Sequence, residues 1–389
     1  MADRTSVLIV GAGPAGLVLG NLLRAAGIDT LILERGGREH VQARARAGFL
    51  GANSARVLTE HGLGAGLLRH GSTHGTCAFR DEAGEFELRY DRLGRGEPHT
   101  VYPQQLLVTD LIAEYLARGG GLRFGVTVTD VDAETATARF RDERGNTGEV
   151  AARFLAGCDG GYGVTRRAVP APDHYVRDHG ISWLAVLADA PQSMPAVTYA
   201  LHRNGFAGQM ARGPAVTRYY LQVPPGDEAA AWTDERIWAE LAVRMRTGAF
   251  GPLRQGPVTE RRIVRLRSDV VDPVQHGRLF LVGDAASLIS PSAAKGANLA
   301  IMAAEVLARA LTDALLRDDE RALAAYSRTC LPRIWRAQEF SHWMIGLLHD
   351  TADAGQGPRF GSALRRARLD NLRESRAHQD FFAENYVGI

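Results

Sequence analysis

The sequence predicts an α/β fold: a parallel βαβ unit interleaved with a second, mixed or antiparallel sheet, and followed by a helical C-terminal region. Three observations predict it. A glycine-rich turn between a buried strand and a helix opens the chain, period-two alternation fills much of its middle, and helical sequence rich in arginine and aromatic residues runs from Ala322 onward. A chain of 389 residues is long enough for a large core and two closely connected domains. With no internal repeat and no low-complexity linker, those domains are expected to interleave. The domain built on the βαβ unit takes 1–73, 98–179 and 268–320, the second sheet takes 74–97 and 180–267, and the helical region takes 321–389.

The elements follow in order. Ser6–Val10 is a short apolar run ending at Gly11, as a buried parallel strand requires. A helical pattern from Pro14 to Ala26 stops at Gly27, and a second apolar strand covers Thr30–Leu33, completing a βαβ unit of about 30 residues. From Arg123 to Phe154 the period changes to two. Ala136, Ala138 and Phe140 alternate with Thr137, Arg139 and Arg141, and Arg144-Gly145-Asn146 marks a turn, so an antiparallel ribbon is expected. Further strands are expected within Ser182–Val223 and at Arg261–Ser268, with polar and aromatic residues alternating. Another at Leu279–Val282 leads into Gly283-Asp284 and a long helix over Ala297–Leu316.

Composition excludes several functions. Hydrophobic residues make up 45% and charged residues 23%, an ordinary globular balance, and a net charge of +2 without a basic block gives no footprint for nucleic acid. The three cysteines are widely spaced and the histidines form no His-Glu-x-x-His pattern, so neither a disulfide framework nor a metal site is expected. No apolar run approaches the ~20 residues that span a bilayer, and the polar N-terminus has no signal-peptide pattern; a cytoplasmic setting without membrane contact is expected. Lys295 is the only lysine among 46 basic residues.

Three motifs carry chemistry. Gly11-Ala12-Gly13-Pro14-Ala15-Gly16, with Glu34 closing the next strand, is the Rossmann-like dinucleotide fingerprint. Gly11 permits the tight turn, Gly13 lets a pyrophosphate approach the backbone, and Gly16 lets helix and strand pack closely; Glu34 can accept from a ribose diol. Cys158-Asp159-Gly160, with Arg166 beyond it, follows a strand at Ala151–Ala156. Gly283-Asp284-Ala285-Ala286 precedes Pro291, Lys295, Gly296 and Asn298. In this order and at these separations the motifs resemble those of group A FAD-dependent monooxygenases. That resemblance implies FAD on Gly11, Gly13, Ala15, Gly16, Glu34, Arg35, Arg44, Arg46, Gln104, Asp159, Asp284, Gly296 and Asn298. With only one dinucleotide fingerprint, NADPH or NADH is expected to bind transiently at the surface. Arg35, Arg38, His40 and Arg44 either meet its phosphate or form a solvated basic loop. Arg35, His40, Arg44, Arg166 and Arg267 are the expected nicotinamide-cofactor contacts, and Tyr162 replaces a frequent histidine.

A closer resemblance extends along the chain, to the 4-hydroxybenzoate hydroxylase family. It rests on Ile28-Asp29, Arg46-Ala47-Gly48, Thr100-Val101-Tyr102, Gly157-Cys158-Asp159-Gly160, Arg218-Tyr219-Tyr220-Leu221-Gln222-Val223-Pro224, Ala294-Lys295-Gly296 and Ala383-Glu384-Asn385-Tyr386-Val387-Gly388. It implies a small aromatic carboxylic acid as substrate, hydroxylated ortho to its phenol with O2 through a flavin C4a-hydroperoxide, and a homodimer by analogy. Tyr199 would hydrogen-bond the phenol, Tyr386 would be its relay partner and His74 the outer end of the relay. Arg212, assisted by Tyr220, would hold the carboxylate; Pro291 would face the substrate hydroxyl, with Ser292 and Lys295 beside it. A buried arginine without an anion is expensive, which independently asks for a partner at Arg212. A tyrosine with a pKa of ~10 donates to a phenolate without ionising.

Departures from the family pattern reshape the pocket. Met210 stands where a serine is common, Gly208 and Ala185 are smaller than usual, and Phe49 is larger. A ring-substituted 4-hydroxybenzoate or a 4-aminobenzoate is therefore an alternative substrate. A flavin halogenase would need a lysine outside the flavin loop, and the chain has none. A non-catalytic flavoprotein that senses an aromatic ligand is the alternative of another class.

Overall fold

The computed structural model describes residues 3–44, 48–82, 84–170, 173–246, 252–350 and 358–388; Arg46 lies outside them. The nucleotide-binding sheet runs in the order Gln275–His276, Leu279–Leu281, Thr147–Gly157, Asp3–Val10, Thr30–Leu33, Gly121–Arg123. Asp3–Val10 pairs in parallel with strands on both sides, Val7 standing opposite Phe154 and Thr30. Buried on both faces, such a strand needs a continuous apolar run, and Val7, Leu8 and Ile9 have no exposed surface. The helices Pro14–Ala25 and Gly296–Arg317 pack on one another beside it. The expected ribbon is present as Val126–Asp132 and Thr137–Asp142, the latter pairing with Thr147–Gly157. The turn between the last two is closed by Asp142, whose carboxylate accepts from Arg144 and Asn146.

The second sheet also has eight strands, ordered Ser287–Leu288, Val258–Asp272, Asp173–Ala188, Val216–Val223, Ala207–Gly213, Val197–Ala200, Cys77–Asp81, Gly84–Leu88. Its pairings are antiparallel except where Val197–Ala200 meets Cys77–Asp81. Period two assigns its faces. Trp183 and Tyr220 belong to a cluster with the C-terminal helices, while Leu184, Tyr219 and Leu221 pack on the opposite side around the helix Asp234–Arg244. The expected domain boundaries at 179 and 268 fall inside Asp173–Ala188 and Val258–Asp272, which pair along most of their length, so no linker marks them.

The C-terminal region comprises Arg321–Ala324, Tyr326–Leu348, Pro358–Glu374 and Arg376–Val387. A small third sheet joins Phe49–Leu50, His99–Val101 and Ser72–His74. The helices Ala52–Glu60 and Gln104–Ala117 were not legible as elements from the motifs; Gln104 opens the second of them. The strand expected at Leu279–Val282 ends one residue early, and Val282 begins the turn into Gly283. Among the described residues no helix is long and apolar enough to cross a membrane.

Candidate active site

The nucleotide cradle is built by backbone. Gly11 sits at φ +105, and a Cβ there would collide with the Cys158 carbonyl. Among the described residues Gly13 has no neighbour within 4 Å of where a Cβ would stand, leaving open the approach that a pyrophosphate needs. Pro14–Ala25 begins without a side-chain cap, as does Gly296–Arg317, so both helix starts keep N–H groups for an anion. Gly283, at φ +66, fits between Ala15 and Ala300 and brings those two helix starts together. Glu34 is anchored by the N–H groups of Ala12 (2.8 Å) and Gly36 (2.7 Å), which aim its carboxylate at the fingerprint turn. The residues fit FAD on these grounds.

Other expected cofactor residues take structural partners. Both Asp159 oxygens accept from Thr165, and burial raises its carboxyl above the ordinary range against those bonds. Asn298 accepts from the Gly51 N–H at 2.8 Å and donates to the Phe49 and Ala294 carbonyls, tying the flavin loop to the third sheet. Gly296 lies near Asp284, 3.7 Å from its Oδ1 at the Cβ position. Arg35, His40 and Arg44 are exposed.

A cavity opens between the second sheet and the loop after Asp284. It is lined by Tyr199, Tyr386, Met210, Tyr220, Pro291 and Ser292, six of the expected residues, together with Phe49 and Gly208. Tyr199 comes from Val197–Ala200 and Tyr386 from the last helix, yet their hydroxyls are 2.7 Å apart. Burial pushes both phenols well above the ordinary tyrosine range, so both stay protonated. Ser292 is bonded to Ser341 at 2.9 Å. The loop's Ala294 holds φ +53, a left-handed conformation costly for a residue with a Cβ.

At the carboxylate end the strand register shifts between Ala211 and Gly213, an irregularity at Arg212. Met210 lines the cavity; Arg212 reaches Tyr220, which also does. The Arg212 Nη1 is buried with no hydrogen-bond partner among the described residues, and burial lowers the guanidinium against the pull of Tyr220. Ala185 stands opposite Tyr220 in the neighbouring strand but does not itself line the cavity. Lys295 is 1% exposed, donates to the Tyr386 carbonyl at 2.7 Å, and burial brings its ammonium down to about 7.

A family model for the FAD binding domain matches residues 4–341. The chain is 35% identical over 391 aligned residues to the p-hydroxybenzoate hydroxylase of Acinetobacter baylyi, covering 99% of this chain and 96% of that protein. It belongs to the FAD-dependent aromatic hydroxylases of this family. The 6-methylpretetramide 4-monooxygenase of Streptomyces rimosus is 26% identical over 80% of the chain, which spans 56% of that enzyme. Among solved structures, p-nitrophenol 4-monooxygenase from Pseudomonas putida superposes with a TM-score of 0.83 at 18% identity, covering 99% of both chains, and so shares the fold.

In this aromatic monooxygenase Arg166 and Arg267 converge on one carboxylate. Asp269, 2% exposed, pairs with Arg166, with Arg267 at 3.1 Å and with His174 at 2.7 Å. Two arginines on one carboxylate leave a surplus positive charge, and Arg267 Nε is buried with no partner among the described residues. Asp269 was not legible as a site residue because Arg166 and His174 lie 103 and 95 residues away along the chain. Nor were two pocket walls, Trp183 and Phe206, whose rings stack at 5.0 Å. The Trp183 indole donates to His349 (3.1 Å), which also bonds Gln222 at 2.8 Å. His74 bonds the Tyr90 hydroxyl through Nδ1 at 2.9 Å, not Tyr386 as a direct relay would require. Buried aromatic residues in alternating strands were the only available signal for these groups.

Proposed function

We propose that the enzyme hydroxylates a 4-hydroxybenzoate-type aromatic acid ortho to its phenol, with NADPH or NADH and O2 as co-substrates. The observation that carries this reading is the buried Tyr199–Tyr386 hydroxyl pair in a cavity also lined by Tyr220, which Arg212 contacts. A flat acid fits such a polarity: the phenol meets two protonated tyrosines, and the carboxylate meets a guanidinium nitrogen that has no partner among the described residues. Bound FAD supplies electron transfer from the nicotinamide and activation of O2. Tyr199 holds the phenol and, with Tyr386, draws its proton away, which raises electron density at the ortho carbon. Arg212 and Tyr220 fix the ring's orientation, and the Pro291 loop closes the cavity against water. Arg166 and Arg267 lie where surplus positive charge suits a transient dinucleotide phosphate.

Met210 favours a second reading of the same chemistry, on a ring-substituted 4-hydroxybenzoate or a 4-aminobenzoate. It brings a thioether where a hydroxyl would help grip the carboxylate, while the Phe206 ring fills the space that Gly208 leaves, 2.9 Å from where a Cβ would stand. A cytoplasmic homodimer accompanies both readings. The test is to incubate FAD-loaded protein with NADPH, NADH and a panel of benzoates, following cofactor loss and hydroxylated product together. Product is expected to match cofactor loss for one acid of this class. Tyr199→Phe should slow product formation by about 10²–10⁴-fold with flavin content unchanged. Absence of aromatic-dependent cofactor loss in the parent would support the ligand sensor instead.

A further inference from the structure

We propose that Tyr90 and His99 complete, with His74, an internal path that carries the substrate's phenolic proton from Tyr199 and Tyr386 to solvent; this rests on the hydroxylase reading above. Tyr90 has no exposed surface and His99 is 1% exposed, whereas His74 is half-buried at the end of a strand whose other residues are exposed. The Tyr90 hydroxyl stands 2.9 Å from His74 Nδ1 and 3.3 Å from His99 Nδ1, and in its resting orientation donates to the His74 carbonyl at 2.7 Å. One hydroxyl therefore touches both imidazoles. It can accept a proton from one while donating its own to the other, which moves a proton from the buried ring to the outer one.

The node lies against the catalytic pair. The Tyr386 ring meets His99 edge to face at 4.9 Å and Tyr90 at 5.2 Å. Phe49, a cavity wall, packs on both imidazoles and separates them from the substrate space. Around the node stand Asp91 beside His74, Lys295 and the Tyr386 backbone beside His99, and Cys77 and Tyr199 beside Tyr90. Burial holds both imidazoles below the ordinary histidine range, so each rests neutral with a nitrogen free to accept. The rings of Tyr386 and the node are joined by packing, so the entering step crosses one bridging water or a swing of the Tyr386 phenol. After it, the balance is simple. At each stage one O–H or N–H bond breaks and one forms, no electrons change hands, and His74 releases the proton to water.

An alternative is that Tyr90 and His99 are a structural polar cluster that merely fills the space behind Phe49. The two roles differ in pH dependence. Tyr90→Phe and His99→Asn are compared with the parent in FAD-loaded form, measuring flavin content, product formation from about pH 6.5 to 9, and the solvent deuterium isotope effect. The path predicts normal flavin content and a loss of about 10- to 100-fold near pH 6.5, with an altered isotope effect. That deficit shrinks toward pH 9, where the phenol ionises in bulk before binding. Variants that match the parent across the range, or that lose flavin together, overturn it; if only Tyr90→Phe loses flavin, His99→Asn decides. Tyr199→Phe, run alongside, separates the two readings. If it too leaves product formation unchanged, the site assignment itself falls, whereas its loss with normal node variants rejects the path alone.

Discussion

Lys295 shows how one residue's surroundings set its chemistry. Burial, aided by the nearby positive charge of Arg336, lowers its ammonium from the usual 10.5 to about 7 while it donates to the Tyr386 carbonyl. Between those values the unfolded chain binds a proton that the folded chain has released, so this residue makes stability rise with pH across that window. Below about 7 the folded protein keeps a buried charge at full cost, and above about 10.5 the difference disappears. Lys295→Met keeps the length and removes the charge. It should raise the unfolding temperature more at about pH 6 than at about pH 9, as followed by thermal scans at both. An equal shift at the two pH values would show that the ammonium is not held against its preference. Sequence alone singled out this lysine for its rarity; only burial gives the rarity a physical meaning.

At the scale of elements, the pocket wall is held by a lock between strands and a helix end. The neutral His349 ring follows the helix Tyr326–Leu348 and accepts from the Trp183 indole while donating to Gln222, which also accepts from the Phe206 N–H at 3.1 Å. Burial pushes this imidazole down to about 3, which fixes it as neutral and fixes its donor and acceptor roles. Phenylalanine at 349 would fill similar space but strand the Trp183 N–H in an apolar setting, at about 1–3 kcal/mol. His349→Phe should therefore lower the denaturant midpoint and raise the substrate KM with flavin content preserved. An unchanged KM would mean that Trp183 needs no such anchor. The strands themselves were legible as alternation, but this lock was not, because Trp183 and His349 are 166 residues apart.

At the scale of the molecule, the active site exists because the last helix returns to the first domain. Gly51 has no side chain, and a Cβ there would collide with the Val387 carbonyl. Its N–H is held by Asn298, and Asn53 donates to the Gly388 carbonyl at 3.3 Å. Lys295 and Arg336 add bonds to Tyr386 and Asn385 on the same helix. Gly51→Ala should push this helix outward and loosen the Tyr199–Tyr386 contact while leaving the FAD cradle intact. The expected outcome is less hydroxylated product per nicotinamide consumed, measured by quantifying both in one reaction. Unaltered coupling would show that the helix position tolerates the shift.

What the sequence determined by itself is the local machinery. The βαβ unit, the Gly11–Gly16 turn and Glu34 lie within some thirty residues, and each is specified by short-range rules of burial, turn geometry and hydrogen bonding. The resemblance then identified Tyr199, Tyr220, Pro291 and Tyr386, which the fold brings around one cavity. Tertiary structure decided the rest. Arg212 met Tyr220 from an irregular point of its strand, Asp269 gathered Arg166 and Arg267, and Tyr90 came between His74 and His99. These contacts depend on register and on packing between separate elements, and no periodicity in the chain encodes which buried polar groups will meet.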